Sequence, residues 1–352
     1  MDLLNSLLNL FVPPASLVMM AFAWPALSIL NTVEWIYRSL TSEDVENKVV
    51  IITGASSAIG EKIAYEYAQR KAILVLVAKR DQRLWGIREN ARLLGAKHVI
   101  VVAADVVKDE DCRRFITDTV NYFGRLDHLV NTTNMGHNFF FEEVLDSSVL
   151  PHLMDINFWG SVYPTFVALP YLKESRGRII VNASVESWVP MPRMSLYAAA
   201  KAAVINFYET LRFELKDSVG ITIATHGWIG REMNQTTFML EEGTEMQWKE
   251  EREVPLFGTH VEEFAKLIVA GACRGEAYVK YPSWYDVFFL YKVLAPDVLG
   301  WTFRLLSGSY GCWRDSATGG GGAARPLLEA SPARKSLPAP IAFAPASPNR
   351  QL

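Results

Sequence analysis

A tyrosine and a lysine four residues apart are the first residues of this chain that suggest chemistry. Tyr197 and Lys201 stand at the start of a strongly helical run, so the spacing predicts that both side chains share one helix face. A neighbouring ammonium lowers the pKa of a tyrosine toward working pH and makes it a usable general acid or base. Ser184 lies thirteen residues upstream, at the end of a predicted strand, where its hydroxyl can reach the same substrate oxygen. The three residues together predict proton exchange with a carbonyl or an alcohol.

A glycine-rich turn lies between the first predicted strand and the helix that follows it. Gly54 and Gly60 allow such a turn to approach a ligand closely, and the start of a helix favours an anion such as a pyrophosphate. Two glycines alone are a weak signal, because many strand-to-helix turns need them for steric reasons. Their place after the first strand of an alternating pattern strengthens it. The predicted cofactor contacts here are Gly54, Ser56, Ser57, Ala58, Ile59 and Gly60.

The choice of cofactor depends on the residues that end the second predicted strand. An NAD enzyme usually places a carboxylate there to accept from the adenosine ribose. This chain has Lys79 and Arg80, and no carboxylate before Asp81. Two cations suit a 2′-phosphate and favour NADP(H) over NAD(H); the weaker alternative is two solvated surface cations. Asp105, just after the third strand, is placed to hydrogen-bond the adenine or to cap a helix.

Alternating apolar and amphipathic stretches must position these residues. Such an alternation predicts an α/β fold with a Rossmann-type, doubly wound parallel sheet, in one domain over residues 46–282. The predicted buried strands are Val49–Thr53, Ile73–Ala78, Val99–Ala103, Leu126–Asn131, Arg178–Asn182 and Ile221–Thr225. The predicted amphipathic helices include Glu61–Arg70, Arg83–Leu94 and Asp111–Tyr122.

An apolar segment precedes this domain. Between Asp2 and Glu34 lie 31 residues without a charge, which favours contact with a membrane or another lipid surface. A basic stretch before it and a small-residue cleavage site after it are both missing, unlike in a secretory signal peptide. A single spanning helix and a helix–break–helix hairpin stay open, because Pro13, Pro14 and Pro25 interrupt the segment. Residues 1–45 are therefore predicted to form a proline-interrupted anchor.

Composition excludes several other functions. A net charge of -3 without a basic run gives no reason to expect a nucleic acid as partner. The three cysteines Cys112, Cys273 and Cys312 are far apart, so neither a disulfide framework nor a zinc site is expected, and the six histidines show no metal-binding spacing. No metal is predicted, and the soluble part is expected in a reducing compartment.

Three further segments lie in the C-terminal third of the chain. Residues 232–258 follow the sixth strand, and either cover the substrate or form a plain surface excursion. Residues 283–312 are rich in aromatic residues, which fits an interfacial helix, a dimer contact or ordinary packing. Residues 313–352, with GGGG and many prolines, predict a disordered tail.

These residues resemble the short-chain dehydrogenase/reductase family over residues 46–282. The family's glycine motif falls on Thr53, Gly54 and Gly60, and its Ser–Tyr–Lys set on Ser184, Tyr197 and Lys201. The resemblance implies a fourth catalytic residue, Asn157, and a structural asparagine at Asn131 that contributes to the cofactor site. The chain departs from the family pattern at Ala58, at Thr132-Thr133-Asn134, at His226-Gly227 and at Arg231.

A closer resemblance is to the steroleosins, hydroxysteroid dehydrogenase-like proteins of plant seed oil bodies. It rests on the proline-containing anchor and on the stretches NASVESWVPMPRMSLYAAAK, THGWIG and AYVKYPSWYDVF. The resemblance implies an NADP(H) cofactor, a sterol-like alcohol or ketone as substrate, and a lipid-droplet location with the catalytic domain facing the cytosol. Members of the wider family often dimerise, so a homodimer stays open.

The function predicted from these observations is reversible hydride transfer between NADP(H) and a secondary alcohol or ketone. Tyr197 would exchange the proton, Lys201 would lower its pKa and hold the nicotinamide ribose, and Ser184 would hold the substrate oxygen. Asn157 would orient a water that relays protons from Lys201. Two alternatives stay open: a structural or sterol-binding coat protein with little turnover, and a reductase of fatty-acyl or retinoid carbonyls.

Overall fold

The computed structural model describes residues 2–40, 42–79, 82–136, 141–144, 147, 149–227, 239–240, 246–247, 258–302 and 304–305. Its helices are α1 Asp2–Leu40, α2 Ala58–Gln69, α3 Gln82–Leu93, α4 Asp109–Phe123, α5 Val149–Met154, α6 Gly160–Ser175, α7 Ser195–Leu215, α8 Gly258–Arg274 and α9 Asp286–Leu294. Its strands are β1 Val49–Thr53, β2 Ile73–Ala78, β3 His98–Ala103, β4 His128–Asn131, β5 Arg178–Ser184, β6 Gly220–His226, β7 Met239–Leu240, β8 Met246–Gln247 and β9 Tyr278–Tyr281. A π-helical segment, Asp155–Trp159, joins α5 to α6.

The predicted doubly wound parallel sheet is confirmed. Seven strands lie in the order β3-β2-β1-β4-β5-β6-β9, and every neighbouring pair is parallel. The chain order reverses between β1 and β4, which creates the crevice where ligands of such sheets bind, at the carboxyl ends of the strands. The short strands β7 and β8 form a separate antiparallel pair.

Both faces of the sheet are buried, as its apolar strands predict. Side chains of β1 alternate between two core clusters: Val50 and Ile52 face one, while Val49 and Ile51 face the other. The first cluster includes buried residues of α2, α3 and α8, and the second includes buried residues of α4, α6 and α7. This sandwich fixes the carboxyl ends of the strands rigidly relative to the helices.

The strand predictions need correction at several bounds and at one missing strand. β3 begins at His98, β5 extends to Ser184, and β6 runs from Gly220 to His226. β4 begins at His128 and not at Leu126. The Val49 N–H of β1 donates to the Asp127 carboxylate, at 2.9 Å, and therefore not to a backbone carbonyl of an earlier β4 residue. The edge strand β9 was missed altogether, since its four residues alternate between buried and exposed positions and carry two tyrosines and a lysine.

The N-terminal segment is one continuous helix, the first of the two forms that the sequence leaves open, and not the hairpin. α1 runs for 39 residues through Pro13, Pro14 and Pro25. Because proline has no backbone N–H, some carbonyls of this helix lack their usual donor. The Ser16 hydroxyl donates to one carbonyl of this region, that of Pro13, at 2.8 Å. The 31 residues from Leu4 to Glu34 are long and apolar enough to cross a membrane, and none of their most apolar window is buried in the protein.

The chain enters the α/β domain at Glu43. Glu43 N–H donates to the Cys273 carbonyl, at 2.9 Å, and the Glu43 carboxylate accepts from Arg178. Burial raises the pKa of Glu43, but the hydrogen bonds and charges of His128 and Arg178 outweigh it and hold that pKa at about 2. Val45, only 2% exposed, packs into the core. Residues 43–45 therefore contact the domain that follows them.

The aromatic segment near the C-terminus is exposed along α9, whereas Tyr285 and Leu299 on either side of that helix are buried. α9 has no buried residue, and Phe289, Leu290 and Leu294 are all more than half exposed. Residues 313–352, predicted to be a disordered tail, lie outside the described residues, as do most of residues 232–258.

Candidate active site

The candidate catalytic residues meet at the carboxyl edge of the sheet, beside the crevice between β1 and β4. Ser184 is the last residue of β5 and pairs in register with His226, the last residue of β6. Thr53 and Asn131, the last residues of β1 and β4, pair in the same way. Parallel strands bring their carboxyl ends to one edge, so four separate stretches of sequence converge here.

Tyr197 and Lys201 lie in the first turns of α7, on the face that packs against this edge. Tyr197 is 2% exposed and Lys201 is fully buried. Lys201 Nζ lies 5.7 Å from the centroid of the Tyr197 ring and donates to the Asn182 carbonyl of β5, at 3.1 Å. The helix spacing thus brings phenol and amine to one site, as the sequence predicts.

The electrostatics of Tyr197 differ from the expectation. Burial raises the pKa of Tyr197, and the charge of Glu186 raises it further; hydrogen bonds with Ser184 and Asn134 act in the opposite direction. The prediction that Lys201 lowers this pKa is wrong for this arrangement, because the amine is directed to Asn182. Tyr197 therefore holds its proton at neutral pH.

Lys201 is itself strongly perturbed. Burial lowers the pKa of Lys201 to about 7, although the charge of Glu186 opposes that shift. The amine therefore exchanges its proton close to neutral pH, where a solvated lysine stays fully charged.

Ser184 is hydrogen-bonded to a carboxylate that the sequence did not single out. The Ser184 hydroxyl donates to Glu186, and both side chains are almost fully buried. Glu186 lies in the 3-10 turn Val185–Ser187, where the Trp188 and Val189 N–H groups both donate to the Val185 carbonyl. The turn thereby brings the Glu186 carboxylate back to the Ser184 hydroxyl.

Asn157 lies in the π-helical segment, and its side chain is fully engaged with the backbone. Its amide donates to the carbonyls of Met135, at 2.8 Å, and Leu153, at 3.0 Å, while its oxygen accepts from Met135 N–H, at 3.0 Å. These contacts fix the loop after β4. The side chain thus positions the loop after β4, and the orientation of a relay water by Asn157 stays a prediction.

Asn131 braces the sheet against two helices and does not project into the crevice. Its amide nitrogen contacts Ser161 O, Thr165 Oγ1 and Tyr208 Oη, and its oxygen accepts from the Thr53 hydroxyl. The cofactor contact predicted for Asn131 is not made by this side chain, because all its polar atoms are used within the fold.

The glycine turn is packed as closely as its motif suggests. Gly54 has φ +65°, and a Cβ there would lie 2.7 Å from Thr133 N. A Cβ on Gly60 would lie 2.5 Å from Gly54 O and 2.8 Å from Thr132 Oγ1. Both glycines are thus required by the protein's own packing. The Thr132 hydroxyl also donates to Thr53 O, at 2.7 Å, so the residue that replaces the family's asparagine braces this turn.

The start of α2 carries features of an anion site. Ser57 caps the helix by accepting from Gly60 N–H, at 3.1 Å, and leaves the N–H groups of Ala58 and Ile59 in the first turn. Ser56 precedes the cap and is partly buried. Among the described residues, the buried Thr133 Oγ1 and Asn182 Oδ1 have no hydrogen-bond partner, and both lie at the carboxyl edge of the sheet.

The predicted cofactor-selecting corner is only partly described. Lys79 is 75% exposed and pairs with Asp105, whose Oδ2 lies 3.6 Å from Nζ. Arg80 lies outside the described residues. Asp105 accepts from Val107 N–H, at 3.4 Å, and does not cap α4, whose N-cap residue is Lys108. The capping alternative for Asp105 is therefore wrong.

Two site residues, Glu186 and Asn134, escaped the sequence reasoning. Glu186 lay inside the quoted motif, and a carboxylate two residues after the candidate serine was a usable signal. Asn134 interacts with Tyr197 from the loop after β4, a contact that only the fold brings about.

Comparison with protein families and curated relatives gives consistent matches. The family model "short chain dehydrogenase" matches residues 48–241. The chain is 65% identical over 346 residues to a protein of Arachis hypogaea named 11-beta-hydroxysteroid dehydrogenase B, covering 97% of this chain and 98% of the relative. It is 66% identical over 358 residues to a protein of the same name from Sesamum indicum, covering 98% of each.

Solved structures share the fold. A short-chain dehydrogenase/reductase from Burkholderia phymatum, crystallised with NAD, matches with a TM-score of 0.59 and 23% identity, over 69% of this chain and 92% of that one. A reductase complexed with NAD matches with a TM-score of 0.54 and 20% identity, over 67% and 95%.

Proposed function

This chain belongs to the short-chain dehydrogenase family, and we propose that it interconverts a secondary alcohol and a ketone of a sterol-like substrate, with NADP(H), at a lipid-droplet surface. It is an oxidoreductase. The relatives' name, 11-beta-hydroxysteroid dehydrogenase, supports a steroid-like substrate. The catalytic domain would span residues 46–282.

The observation that carries the proposal is the convergence of three buried groups at one edge of the sheet. Ser184, Tyr197 and Lys201 come from β5 and α7, and each is at most 2% exposed. Burying two ionisable groups costs free energy, because desolvation disfavours their charged forms. Such perturbed groups in a crevice are typical of catalytic sites.

The residues of the crevice fit a nicotinamide dinucleotide. The first turn of α2, from Ser57 to Gly60, would hold the pyrophosphate. The unpaired Thr133 Oγ1 and Asn182 Oδ1 offer further polar contacts on the substrate side. Lys79 and Arg80, with Asp105 beside Lys79, would select the 2′-phosphate of NADP(H).

The proton chemistry would fall to Tyr197. A bound nicotinamide supplies the hydride donor or acceptor. In reduction, Tyr197 keeps its proton at neutral pH and donates it to the ketone oxygen. In oxidation, the proton would move the other way, from the substrate hydroxyl to a Tyr197 phenolate, and a Lys201 ammonium turned from Asn182 toward that phenolate would stabilise it. Ser184 would hold the substrate oxygen.

Lys201 would pass protons between Tyr197 and solvent. A pKa of about 7 lets the amine gain and lose a proton at working pH. Asn157 supports this role indirectly, because its side chain fixes Met135 and the π-helical segment beside α7.

Two exposed apolar surfaces support a lipid location. α1 offers 31 residues from Leu4 to Glu34 without a buried face in their most apolar window. α9 exposes Phe289, Leu290 and Leu294. The ring centroid of Phe289 lies 5.6 Å from that of Trp188, the residue that follows the 3-10 turn Val185–Ser187. A lipid monolayer would cover the first surface and bring apolar substrates near the second.

The test of the proposed activity uses the full-length chain in detergent. NADPH fluorescence is followed with corticosterone and its 11-ketone, a long-chain ketone and a retinal, and products are identified by mass spectrometry. We expect turnover of the steroid pair, and a higher rate with NADP(H) than with NAD(H). Turnover of the retinal or the fatty ketone alone would support the carbonyl-reductase alternative. If no substrate of the panel is converted, the alternative of a coat protein with little turnover would be favoured.

The location is tested separately by flotation on artificial oil droplets with a phospholipid monolayer. The full chain is expected to float. A variant lacking residues 2–40, which keeps the contacts of Glu43 and Val45 with the domain, is expected to stay in the aqueous phase. Flotation of the shortened variant to the same extent would contradict the assigned anchor.

A further inference from the structure

A buried carboxylate stands next to the candidate catalytic serine. Glu186 is 2% exposed, and the Ser184 hydroxyl donates to its Oε2. The surrounding 3-10 turn is fixed by hydrogen bonds from Trp188 N and Val189 N to Val185 O, at 3.1 and 2.9 Å. The Ser187 hydroxyl adds a bond to Ser184 O. These bonds fix the backbone of the turn that carries Glu186, next to the serine.

This contact decides which way the serine hydroxyl points. A serine hydroxyl has one donor and two acceptor lone pairs. A hydrogen bond to a carboxylate is charge-assisted and stronger than one to a neutral carbonyl. The Ser184 hydroxyl hydrogen therefore points to Glu186, and Ser184 Oγ offers its lone pairs to Tyr197, its other hydrogen-bond partner in the site, and to a substrate.

Resting on the proposed function, we propose that Glu186 is a positioning residue that makes Ser184 a hydrogen-bond acceptor and so lets the site bind an alcohol in preference to the matching ketone. While Tyr197 is protonated and donates to the alcohol oxygen, the alcohol can donate its own O–H to Ser184 Oγ; in oxidation that O–H must turn from Ser184 to the Tyr197 phenolate. A ketone has no donor, so its oxygen would face the lone pairs of Ser184 and depend on Tyr197 alone.

Three ionisable groups of the site surround Glu186. Tyr197 and Lys201 face it from α7, and His226 faces it from β6. Burial is the main cause of each pKa shift: it raises that of Tyr197 and lowers those of Lys201 and His226. The charge of Glu186 raises all three. The carboxylate is thus close enough to act on every ionisable group of the site.

The substitution Glu186→Gln separates this role from mere packing. Glutamine keeps the shape, but its amide can donate to Ser184 Oγ and free the serine proton for a ketone. An enzyme does not alter the equilibrium of its reaction. Values of kcat/KM for oxidation and reduction must therefore change by the same factor unless cofactor affinity changes. The expected sign of the role of Glu186 is that KM changes in opposite directions for alcohol and ketone, with kcat changing to match.

Binding is measured without turnover, by titrating the full-length protein with corticosterone and with its 11-ketone in the presence of a tetrahydro analogue of NADPH, which neither donates nor accepts hydride. The parent is expected to bind the alcohol more tightly. In Glu186→Gln the hydrogen bond at Ser184 is reversed. The ratio of the dissociation constants for alcohol and ketone is expected to change by about tenfold in favour of the ketone. In turnover, KM for the alcohol rises and KM for the ketone falls.

The matched control is Glu209→Gln. Glu209 also accepts from a hydroxyl, that of Tyr278 at 2.6 Å, but lies outside the site, so its substitution should leave the ratio unchanged. In a Ser184→Ala background, Glu186→Gln should change the ratio less than about twofold, because the hydroxyl through which Glu186 acts is gone. A purely structural role would give the same change in both backgrounds.

The outcomes are distinct. An active parent whose alcohol-to-ketone binding ratio is unchanged by Glu186→Gln would overturn the role of Glu186 and leave the proposed function standing. A parent that neither binds nor converts the steroid pair would overturn both. If Glu186→Gln unfolds, which circular dichroism would reveal, the comparison of parent with Ser184→Ala decides. Loss of alcohol preference on removing the serine supports the proposal, and its retention contradicts it.

Discussion

The catalytic centre and the cofactor-selecting corner are both at the carboxyl edge of the sheet, yet they are built in opposite ways. Ser184, Tyr197 and Lys201 are at most 2% exposed, and burial changes the pKa of both ionisable groups. Lys79, at the other end of the crevice, is 75% exposed and pairs with Asp105 in reach of water. Charges act strongly where water is excluded and weakly where it is not. Chemistry should thus be sensitive to single changes, and cofactor choice only moderately so.

The largest effect is expected for Tyr197→Phe. A positioned proton donor contributes roughly 10²- to 10⁴-fold to a rate, so kcat should fall by about a thousandfold while NADPH binding persists. Tyr208→Phe is the matched control on the same helix, because Tyr208 is equally buried but bonds to Thr165 within the core. It should lower the melting temperature and keep turnover. Equal activity of parent and Tyr197→Phe would contradict the assigned centre.

Lys201 should make the stability of the protein depend on pH. Its folded pKa of about 7 lies below that of an unfolded lysine, so the unfolded chain binds more protons between these values and stability rises with pH there. From about pH 7 to about pH 9.5 the gain is at most about 3 kcal/mol, at 1.36 kcal/mol per unit. Urea unfolding of parent and Lys201→Met at both pH values measures it. A pH dependence that is the same in both proteins would speak against the buried amine.

Overpacking of the glycine turn should have a smaller effect. In Gly60→Ala the new methyl would lie 2.5 Å from Gly54 O, which costs about 1–3 kcal/mol of unfolding free energy. Gly86→Ala is the control: it lies inside α3 with no atom near its Cβ, and should stabilise by about 0.5–1 kcal/mol. Thermal unfolding compares the two. A neutral Gly60→Ala would show that the turn relaxes freely.

The smallest effect is expected at the exposed corner. Exposed charge pairs contribute about 0–1 kcal/mol, so Lys79→Ala should raise the KM for NADPH about fivefold at most and leave that for NADH unchanged. Lys71→Ala, another exposed lysine with a carboxylate partner, is the control. The effect should shrink in high salt. A larger effect on NADH than on NADPH would rule out contact of Lys79 with the 2′-phosphate.

The sequence predicts the buried parts of this molecule well and the solvent-facing parts less well. β1 and β2 have the predicted bounds because buried parallel strands are continuous apolar runs. The edge strand β9 lacks that signal, since one of its faces is solvated. The three prolines of α1 left a broken helix and a continuous helix equally open, and the structure has the continuous one.

Within the candidate site, the spacing on α7 was enough to bring Tyr197 and Lys201 together. It could not show that the amine is directed to Asn182, or that Glu186 lies beside Ser184, because both depend on how β5 turns toward α7. The direction of the Tyr197 pKa shift was therefore predicted wrongly. Burial and the charge of Glu186, which only the fold brings to bear on Tyr197, raise its pKa.

The most direct test of the account is isotope transfer by the full-length protein. Corticosterone that carries deuterium at its 11-carbinol carbon is incubated with NADP⁺, and both products are analysed by mass spectrometry. The account predicts one deuterium in the reduced cofactor for each ketone formed by the parent, and at most trace amounts with Tyr197→Phe. Ketone formation without deuterium in the cofactor, or equal transfer by the variant, would contradict it.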